Sequence, residues 1–389
     1  MLGTKTCIES EFWALTKSSK GSVALYFHRL SSMPGGAPRM ICALADALVQ
    51  RGLKVHMISW DPPNAQSFYP FDSAIEWSRL GFSSGIFDKI RRSRDLARVL
   101  RENRVRVLIG FVMSSDKTVY AAAKLARVRL IAAERNAPTM YHLRYGRTQR
   151  WLSFALLHLA DRVTIQMSEF AAGYPASLRS RMETIPNPVR KAERRAEPSR
   201  PNRSGRFILL SVGRFDGVKK GFDCLVCAFA RVAAKHPNWD LRLIGGGPLE
   251  GVLRRLVVER GVAKRVFLDG VTSNVFPAYS EAHLFAIPSK WEGFPNALAE
   301  ALAHGLPVIG FRNAAGVAQL ITDGETGWLA EGISDEAELA RVLDIAMTDD
   351  NERARRGFQA AQSVAIYEPE AQFDRWAKMI KPLVAEAAR

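Results

Sequence analysis

Twice along this chain of 389 residues, short apolar runs bounded by turn residues alternate with segments whose apolar residues recur at helical spacing. Parallel strands need long crossover connections, and each crossover helix must bury one face on the sheet, so this alternation is the pattern of a parallel sheet covered by helices. The expected fold class is α/β, with two Rossmann-like, doubly wound parallel-sheet domains. In the first, VALYFHRL (Val23 to Leu30) reads as a strand and Pro34-Gly35-Gly36 as a turn. Ile41, Leu44, Ala45 and Leu48 then form one face of a helix that Gly52 ends. KVHMISW, VRVLIGF, VRLIAAE, RVTIQM and METIPN read as further strands.

Residues 190–205, RKAERRAEPSRPNRSG, are polar, rich in proline and arginine and without apolar periodicity, which predicts an interdomain linker. Beyond it RFILLSVG reads as a strand, and Phe222, Leu225, Val226, Phe229, Val232 and Ala233 as a helix face. DLRLIGGG, HLFAIP and PVIGF are further strands, and Leu249, Val252, Leu253, Leu256 and Val257 the buried side of another helix. In the last segment Phe373, Trp376, Ala377, Ile380, Leu383 and Val384 share one face, with Pro382 placed to kink it. The expected division is a polar leader 1–21, a first domain 22–189, the linker 190–205, a second domain 206–366, and a helix 367–389 packing back on the first domain.

Several classes fall away on composition. No apolar run approaches the ~18 residues of a spanning helix; the best, Trp151 to Ala160, is short and contains His158. Glu9 and Glu11 stand where a signal peptide needs its apolar segment, which predicts a cytoplasmic protein. Cys7, Cys42, Cys224 and Cys227 make no disulfide framework. Cys224 and Cys227 are expected opposite their helix's apolar stripe, and no second Cys or His pair accompanies them to hold a metal. A net charge of +16 implies a polyanionic partner: nucleic acid, an anionic bilayer or phosphorylated small molecules. Nucleic acid is disfavoured, because no recognition-helix, zinc-knuckle or aromatic RNA-binding motif occurs.

The most specific segment is SKWEGFPNALAEALAHGLPVIGF, Ser289 to Phe311, a loop and helix between two strands. Pro295 suits a first helical turn, so the helix is expected to start there, leaving Glu292 in the loop and Glu300 in the second turn. Backbone N–H groups at that start suit a diphosphate, and the two carboxylates suit sugar or ribose hydroxyls. The competing reading is a solvent-facing glutamate pair on an ordinary helix. In SVGRFDGVKKGFD a strand ends at Gly213, and Arg214 and Lys220 follow in a turn, where ligands bind in open α/β sheets. Gly245-Gly246-Gly247 strips side chains from another strand end. It is no dinucleotide fingerprint, since Glu250 occupies the third glycine position, and no GxxxxGK[ST] occurs.

GRFDGVKKG, IGGGP and EGFPNALAEALAHGLPVI, in that order, resemble the C-terminal domain of the large retaining GT-B glycosyltransferase family. AAERNAPTM, LADRVTIQ and ETIPNPV resemble a subgroup acting on polyprenyl-diphosphate-linked saccharides in glycan, capsule or O-antigen assembly. The resemblance spans about residues 22 to 385 and implies two domains facing across a cleft, with a nucleotide-sugar as substrate and neither cofactor nor metal. By that likeness Arg214 and Lys220 hold the donor diphosphate, Glu292 faces the transferred sugar and Glu300 binds the ribose. Gly245, Gly247, Phe294, Pro295, Asn296 and Ala297 complete the donor site. Gly35, Gly36, Glu134, Arg135 and Asn136 are expected at the reaction centre or acceptor side. Ala137 replaces the subgroup's aspartate, Pro38 follows the glycines where an acidic residue is frequent, and Gln319 stands where glutamate is common.

The implied partners are a UDP- or GDP-sugar, a lipid-linked or glycan acceptor, and an anionic membrane at the inner face of the cell. For the membrane, FDKIRRSRDLARVLRENRVR is expected to pack Ile86, Ile90, Ala97 and Leu100 inward. Lys89, Arg91, Arg92, Arg94, Arg98 and Arg101 are then left for solvent or lipid. His28 and His142 lie near these segments and are expected to be structural. A non-catalytic sugar-binding protein of the same fold is the alternative.

Overall fold

A computed structural model describes residues 22–31, 35–81, 88–111, 116–217 and 219–387. The expected leader, Cys7, Pro34 and Ile86 lie outside them. The chain divides into two units, one comprising residues up to Pro186 together with Glu370 onward, the other Asn187–Pro369.

The first unit is built on a seven-stranded sheet of β1 (Ser22–Tyr26), β2 (Val55–Ser59), β3 (Glu76–Arg79), β4 (Val105–Phe111), β5 (Arg129–Ala133), β6 (Arg162–Ile165) and β7 (Met182–Thr184). Their order is β3-β2-β1-β4-β5-β6-β7, parallel throughout, with Val23 of β1 opposite Val55 on one side and Val107 on the other. The helix Gly36–Gln50 buries Ile41, Leu44, Ala45 and Leu48 against it. The final helix, Pro369–Glu386, also belongs to this core: Phe373, Trp376, Ala377, Ile380, Leu383 and Val384 are buried, and the helix continues through Pro382. Arg51 ties it down through Glu370 and Asp374 at 2.6 and 2.8 Å.

The second unit holds a six-stranded parallel sheet in the order β10-β9-β8-β11-β12-β13. Its strands are β8 (Phe207–Val212), β9 (Trp239–Ile244), β10 (Val266–Gly270), β11 (Leu284–Ile287), β12 (Val308–Phe311) and β13 (Gly327–Ala330). Strands β3, β10 and β13, which sequence reasoning passed over, all lie at sheet edges. β3 has no buried residue and β10 is buried only at Val266, so their apolar signal is weak, while β13 is buried throughout but only four residues long.

Several helix faces differ from expectation. Cys224 and Cys227 are both buried, because Glu336–Thr348 packs on Phe222–Val232 and gives that helix a second covered side. Val252 is exposed, leaving Leu253 and Val257 as the buried side of Glu250–Glu259. Residues 190–205 are held by the second unit: the Arg200 carbonyl accepts from His283 Nε2 at 2.8 Å, and the Pro198 carbonyl accepts from Arg353 Nε at 3.0 Å. Arg353 is fully buried against the stacked rings of Phe207 and Trp239, 4.9 Å from each centroid. A segment without apolar periodicity is thus ordered by its backbone carbonyls, which periodicity does not report.

In the first unit the helix Asp88–Glu102 buries Leu96, Ala97, Val99 and Leu100, while Ile90 is exposed. Arg92 lies over the Trp60 ring at 5.4 Å, whereas Lys89, Arg91, Arg94, Arg98 and Arg101 are exposed as expected, Arg91 and Arg98 reaching Asp95. Among the described residues no helix is long and apolar enough to cross a membrane.

Candidate functional site

In the second sheet the chain leaves β8 for β9 on one side and leaves the neighbouring β11 for β12 on the other. At such a switch point the loops leaving the strands' carboxyl ends diverge and open a crevice in which open α/β sheets bind ligands. The loop after β8 carries Arg214, Lys219 and Lys220; the loop after β11 carries Ser289 and Glu292.

Glu292 is the centre of this crevice. Its Oε1 accepts from Lys220 Nζ at 2.6 Å and from Ser289 Oγ at 2.7 Å, and its Oε2 lies 3.6 Å from Lys219 Nζ. Burial alone would raise the carboxyl pKa, but the charges of Lys220 and Lys219 and the hydrogen bonds lower it to about 2. Lys219 sits 5.5 Å above the Trp291 ring; burial pulls its ammonium below the usual range, against the attraction of Glu292. Lys220 makes the short contact, so Lys219 is the more loosely held cation, and the three groups together keep one positive charge in excess. Arg214 is exposed and paired with Asp216 at 2.8 Å. Lys219 and Ser289 were not singled out from sequence. Their signals were faint, a second lysine beside Lys220 and a serine three positions before Glu292.

Glycines make this packing possible. Gly221, at φ +66°, caps the helix Phe222–Val232 where a Cβ would lie 2.3 Å from the Pro288 carbonyl oxygen, joining the two loops. A Cβ at Gly245 would lie 1.8 Å from the Gly213 oxygen, and one at Gly247 2.5 Å from the Phe215 oxygen. At both positions it is the backbone of the chain's own loop after β8 that makes the close approach. The Glu292 N–H donates to Ala315 O at 2.7 Å, and Gly316 lies beneath, its N–H donating to Gln319 Oε1 at 2.6 Å. Gln319 therefore fixes the turn that seats Glu292.

The helix Asn296–Ala303 begins one residue later than expected, since Pro295, at ψ 86°, stands outside the helical region as its cap. Its first-turn amides have no intrahelical acceptors and point toward the N-terminal end. Asn296 Oδ1 accepts from Asn187 Nδ2 at 2.9 Å, Phe294 is buried against Tyr367, and Ala297 is half-buried. Glu300, half-buried, accepts from the hydroxyl of fully buried Tyr279 at 3.0 Å. Tyr279 is another residue that sequence reasoning passed over.

The first unit treats its expected site residues differently. Gly35, extended at φ −169°, caps Gly36–Gln50. Leu30 and Ser31 are held by buried Asp61, which accepts from their N–H groups at 2.7 and 3.1 Å. Glu134 is 2% exposed, and its Oε2 accepts from Tyr141 at 2.6 Å and Tyr174 at 3.2 Å. Burial raises its pKa against those hydrogen bonds. Arg135 is buried over the rings of Phe111 and Trp376 and donates to Thr164 Oγ1. Glu134 and Arg135 thus bond into the interior of the first unit. Asn136 is half-buried and Ala137 fully buried.

Residues 193–363 match the family described as glycosyl transferases group 1, and residues 34–193 match glycosyltransferase family 4. A relative from Campylobacter jejuni is 24% identical over 89% of this chain and 95% of its own length: GalNAc-alpha-(1->4)-GalNAc-alpha-(1->3)-diNAcBac-PP-undecaprenol alpha-1,4-N-acetyl-D-galactosaminyltransferase. Sucrose-phosphate synthase from Thermosynechococcus elongatus superposes with a TM-score of 0.78 at 20% identity, covering 94% of this chain and 100% of the other. Anabaena HepE in complex with UDP-glucose superposes at 0.73 and 16% identity, covering 93% and 99%.

Proposed function

Because the chain is a GT-B glycosyltransferase, pairing a family 4 module with a group 1 module, we propose that it moves a hexosyl unit from a UDP- or GDP-sugar to a lipid-linked oligosaccharide or other glycan acceptor. The setting proposed is cell-surface polysaccharide biosynthesis, at the cytoplasmic face of the membrane. The observation that carries the reading is the buried Glu292 carboxylate, gripped by Lys220 and flanked by Lys219 at a sheet switch point. Cations held in place before substrate arrives stabilise the charge that develops on a departing diphosphate without reorganising. The N-terminal amides of Asn296–Ala303 and the exposed Arg214 guanidinium add to that field.

Glu300, oriented by Tyr279, accepts hydrogen bonds from the ribose hydroxyls, and Glu292 orients the transferred sugar. Its carboxylate is engaged by Lys220, Ser289 and Lys219, which makes it a poor covalent nucleophile. The stereochemistry follows the family resemblance alone: transfer proceeds with retention by front-face attack, the leaving phosphate oxygen helping to take the acceptor's proton. The fixed lysines do what a divalent cation does elsewhere, so turnover is metal-independent.

A panel of nucleoside diphosphates, nucleotide-sugars and oligonucleotides tests the reading by thermal stabilisation. Selective stabilisation by one nucleotide-sugar and its diphosphate is expected; a response to oligonucleotides alone would overturn it. Retention is checked by NMR of the product anomer, and metal independence by activity in excess chelator.

A further inference from the structure

We propose that the loop after β10, Val271 to Val275, reads the base of the donor and selects uridine, so that the substrate is a UDP-sugar and not a GDP-sugar. The inference rests on the transferase reading, in which Glu300 takes the ribose and Lys219 and Lys220 the diphosphate.

Contacts on both flanks place this loop. The helix that follows it, Phe276–Glu281, sends the Tyr279 hydroxyl to Glu300 at 3.0 Å, and its Phe276 ring stacks on His304, one turn beyond Glu300, with centroids 5.8 Å apart. On the other flank Val271 lies against the glycine triplet. A Cβ at Gly246 would stand 2.8 Å from Val271 Cγ2, and the Gly245 N–H donates to Gly270 O at 2.8 Å. The same triplet packs on the loop after β8, which carries the two lysines. A nucleoside held by its ribose at Glu300 and by its phosphates at the lysines sets its base against this loop.

The loop offers that base one kind of edge. Its polar side chains turn back on its own backbone: Thr272 Oγ1 accepts from the Asn274 N–H at 3.1 Å and donates to Asn274 O at 3.0 Å, and Asn274 Oδ1 accepts from the Phe276 N–H at 3.2 Å. Val271 and Thr272 are exposed, and among the described residues none bonds to their backbone N–H and C=O groups. A backbone N–H beside a C=O is a donor next to an acceptor, and uracil answers with O4 and N3–H. Guanine carries two adjacent donors, N1–H and its 2-amino group, which ask for two acceptors together, the arrangement of a carboxylate. The carboxylates around the loop are taken by arginines. Asp269, in β10, and Glu281, in the following helix, meet Arg242 at 2.7 and 3.7 Å, and Glu250, beyond the glycines, meets Arg254 at 2.7 Å. Guanine would give up water at its amino group and gain no acceptor, whereas uracil is satisfied at both atoms. Val271, 52% exposed, presents an apolar surface to the ring.

Calorimetry on the full chain with UDP, GDP, ADP, N3-methyl-UDP and inorganic pyrophosphate is the test. UDP is expected to bind about tenfold more tightly than GDP, the effect of one unpaired donor. Methylation at N3 removes the uracil donor and leaves ribose and phosphates untouched, so it should weaken UDP by roughly tenfold. Ser273→Asp, at an exposed position, supplies a carboxylate and should narrow the ratio of UDP to GDP affinity by about tenfold. The added charge acts on both diphosphates alike and leaves that ratio to the base. GDP or ADP binding as tightly as UDP overturns the proposal, as does N3-methyl-UDP binding that equals UDP. A chain that holds pyrophosphate and every nucleotide alike loses the base assignment alone; one that binds neither pyrophosphate nor any of the nucleotides loses the transferase reading instead.

Discussion

The two units share an architecture and differ in what their polar residues do at the strands' carboxyl ends. In the second unit Lys219, Lys220, Ser289 and Glu292 converge at the switch point between β8 and β11. In the first, Glu134 and Arg135 follow β5, the strand beside the β1–β4 switch pair and not one of the pair itself, and turn into the core. A charged residue at a strand end is therefore not by itself a site residue. Position relative to the switch point decides whether its side chain meets a ligand or satisfies an interior partner.

The contrast is tested hardest at Glu292. Its replacement by Gln leaves two lysines in a buried place without their counter-charge, which should cost about 3–5 kcal/mol of stability as well as turnover. Thermal unfolding with and without a nucleoside diphosphate reads both, and the diphosphate should stabilise the variant more than the parent by supplying the missing anion. A variant as stable as the parent would mean that the cluster is not the buried ion pair described.

A pH effect comes next, read at His283 in the second unit. Burial lowers the pKa of His283 to about 4; its Nδ1 accepts from the Ile208 N–H, and its Nε2 donates to Arg200 O. The unfolded chain binds a proton near pH 6.5 that the folded chain refuses, so this contribution is complete above that pH. It is lost as pH falls toward 4, by up to roughly 3 kcal/mol. Denaturant melts across that window should show the loss, and His283→Gln should flatten it; an unchanged slope in the variant would remove His283 as the cause.

Turnover separates the cations. Lys220→Ala should reduce kcat/KM by about 10- to 100-fold, the value of one charge-assisted contact in the transition state. Arg214→Ala should be milder in its effect on the fold, because Arg214 is exposed and Lys220 is not. Near-normal activity in both variants would remove the donor-site assignment. Tyr279→Phe deletes the hydrogen bond to Glu300, worth about 1 kcal/mol. Calorimetry should show roughly fivefold weaker UDP or GDP binding, with no change for the 2′,3′-dideoxy analogue; equal losses for both ligands would make Tyr279 a packing residue.

The smallest effect should be in the first unit. Glu134→Gln keeps the acceptor for Tyr141 and Tyr174, and burial already favours a neutral side chain there. KM for the acceptor should stay unchanged within about twofold while stability moves by less than ~1.5 kcal/mol. A large rise in acceptor KM would return Glu134 to the acceptor side and erase the difference between the units.

The α/β class, the doubling and the donor-side segments were legible in the residues because they are local. Helical spacing around Phe222 and around Phe373 reports a buried face wherever that face is buried. EGFPNALAE holds a loop, a cap and a helix in one continuous stretch. Contacts between distant segments were not legible. Lys219 becomes a neighbour of Glu292 only when β8 and β11 pair, and Tyr279 meets Glu300 across 21 positions. The burial of Glu134, the second covered side of the Cys224 helix and the pinning of residues 190–205 by His283 and Arg353 are likewise tertiary outcomes. Periodicity along the chain records which side of a segment avoids water. It carries no record of which other segment arrives to cover it, and that arrival decides whether a charge is a ligand, a latch or part of the core.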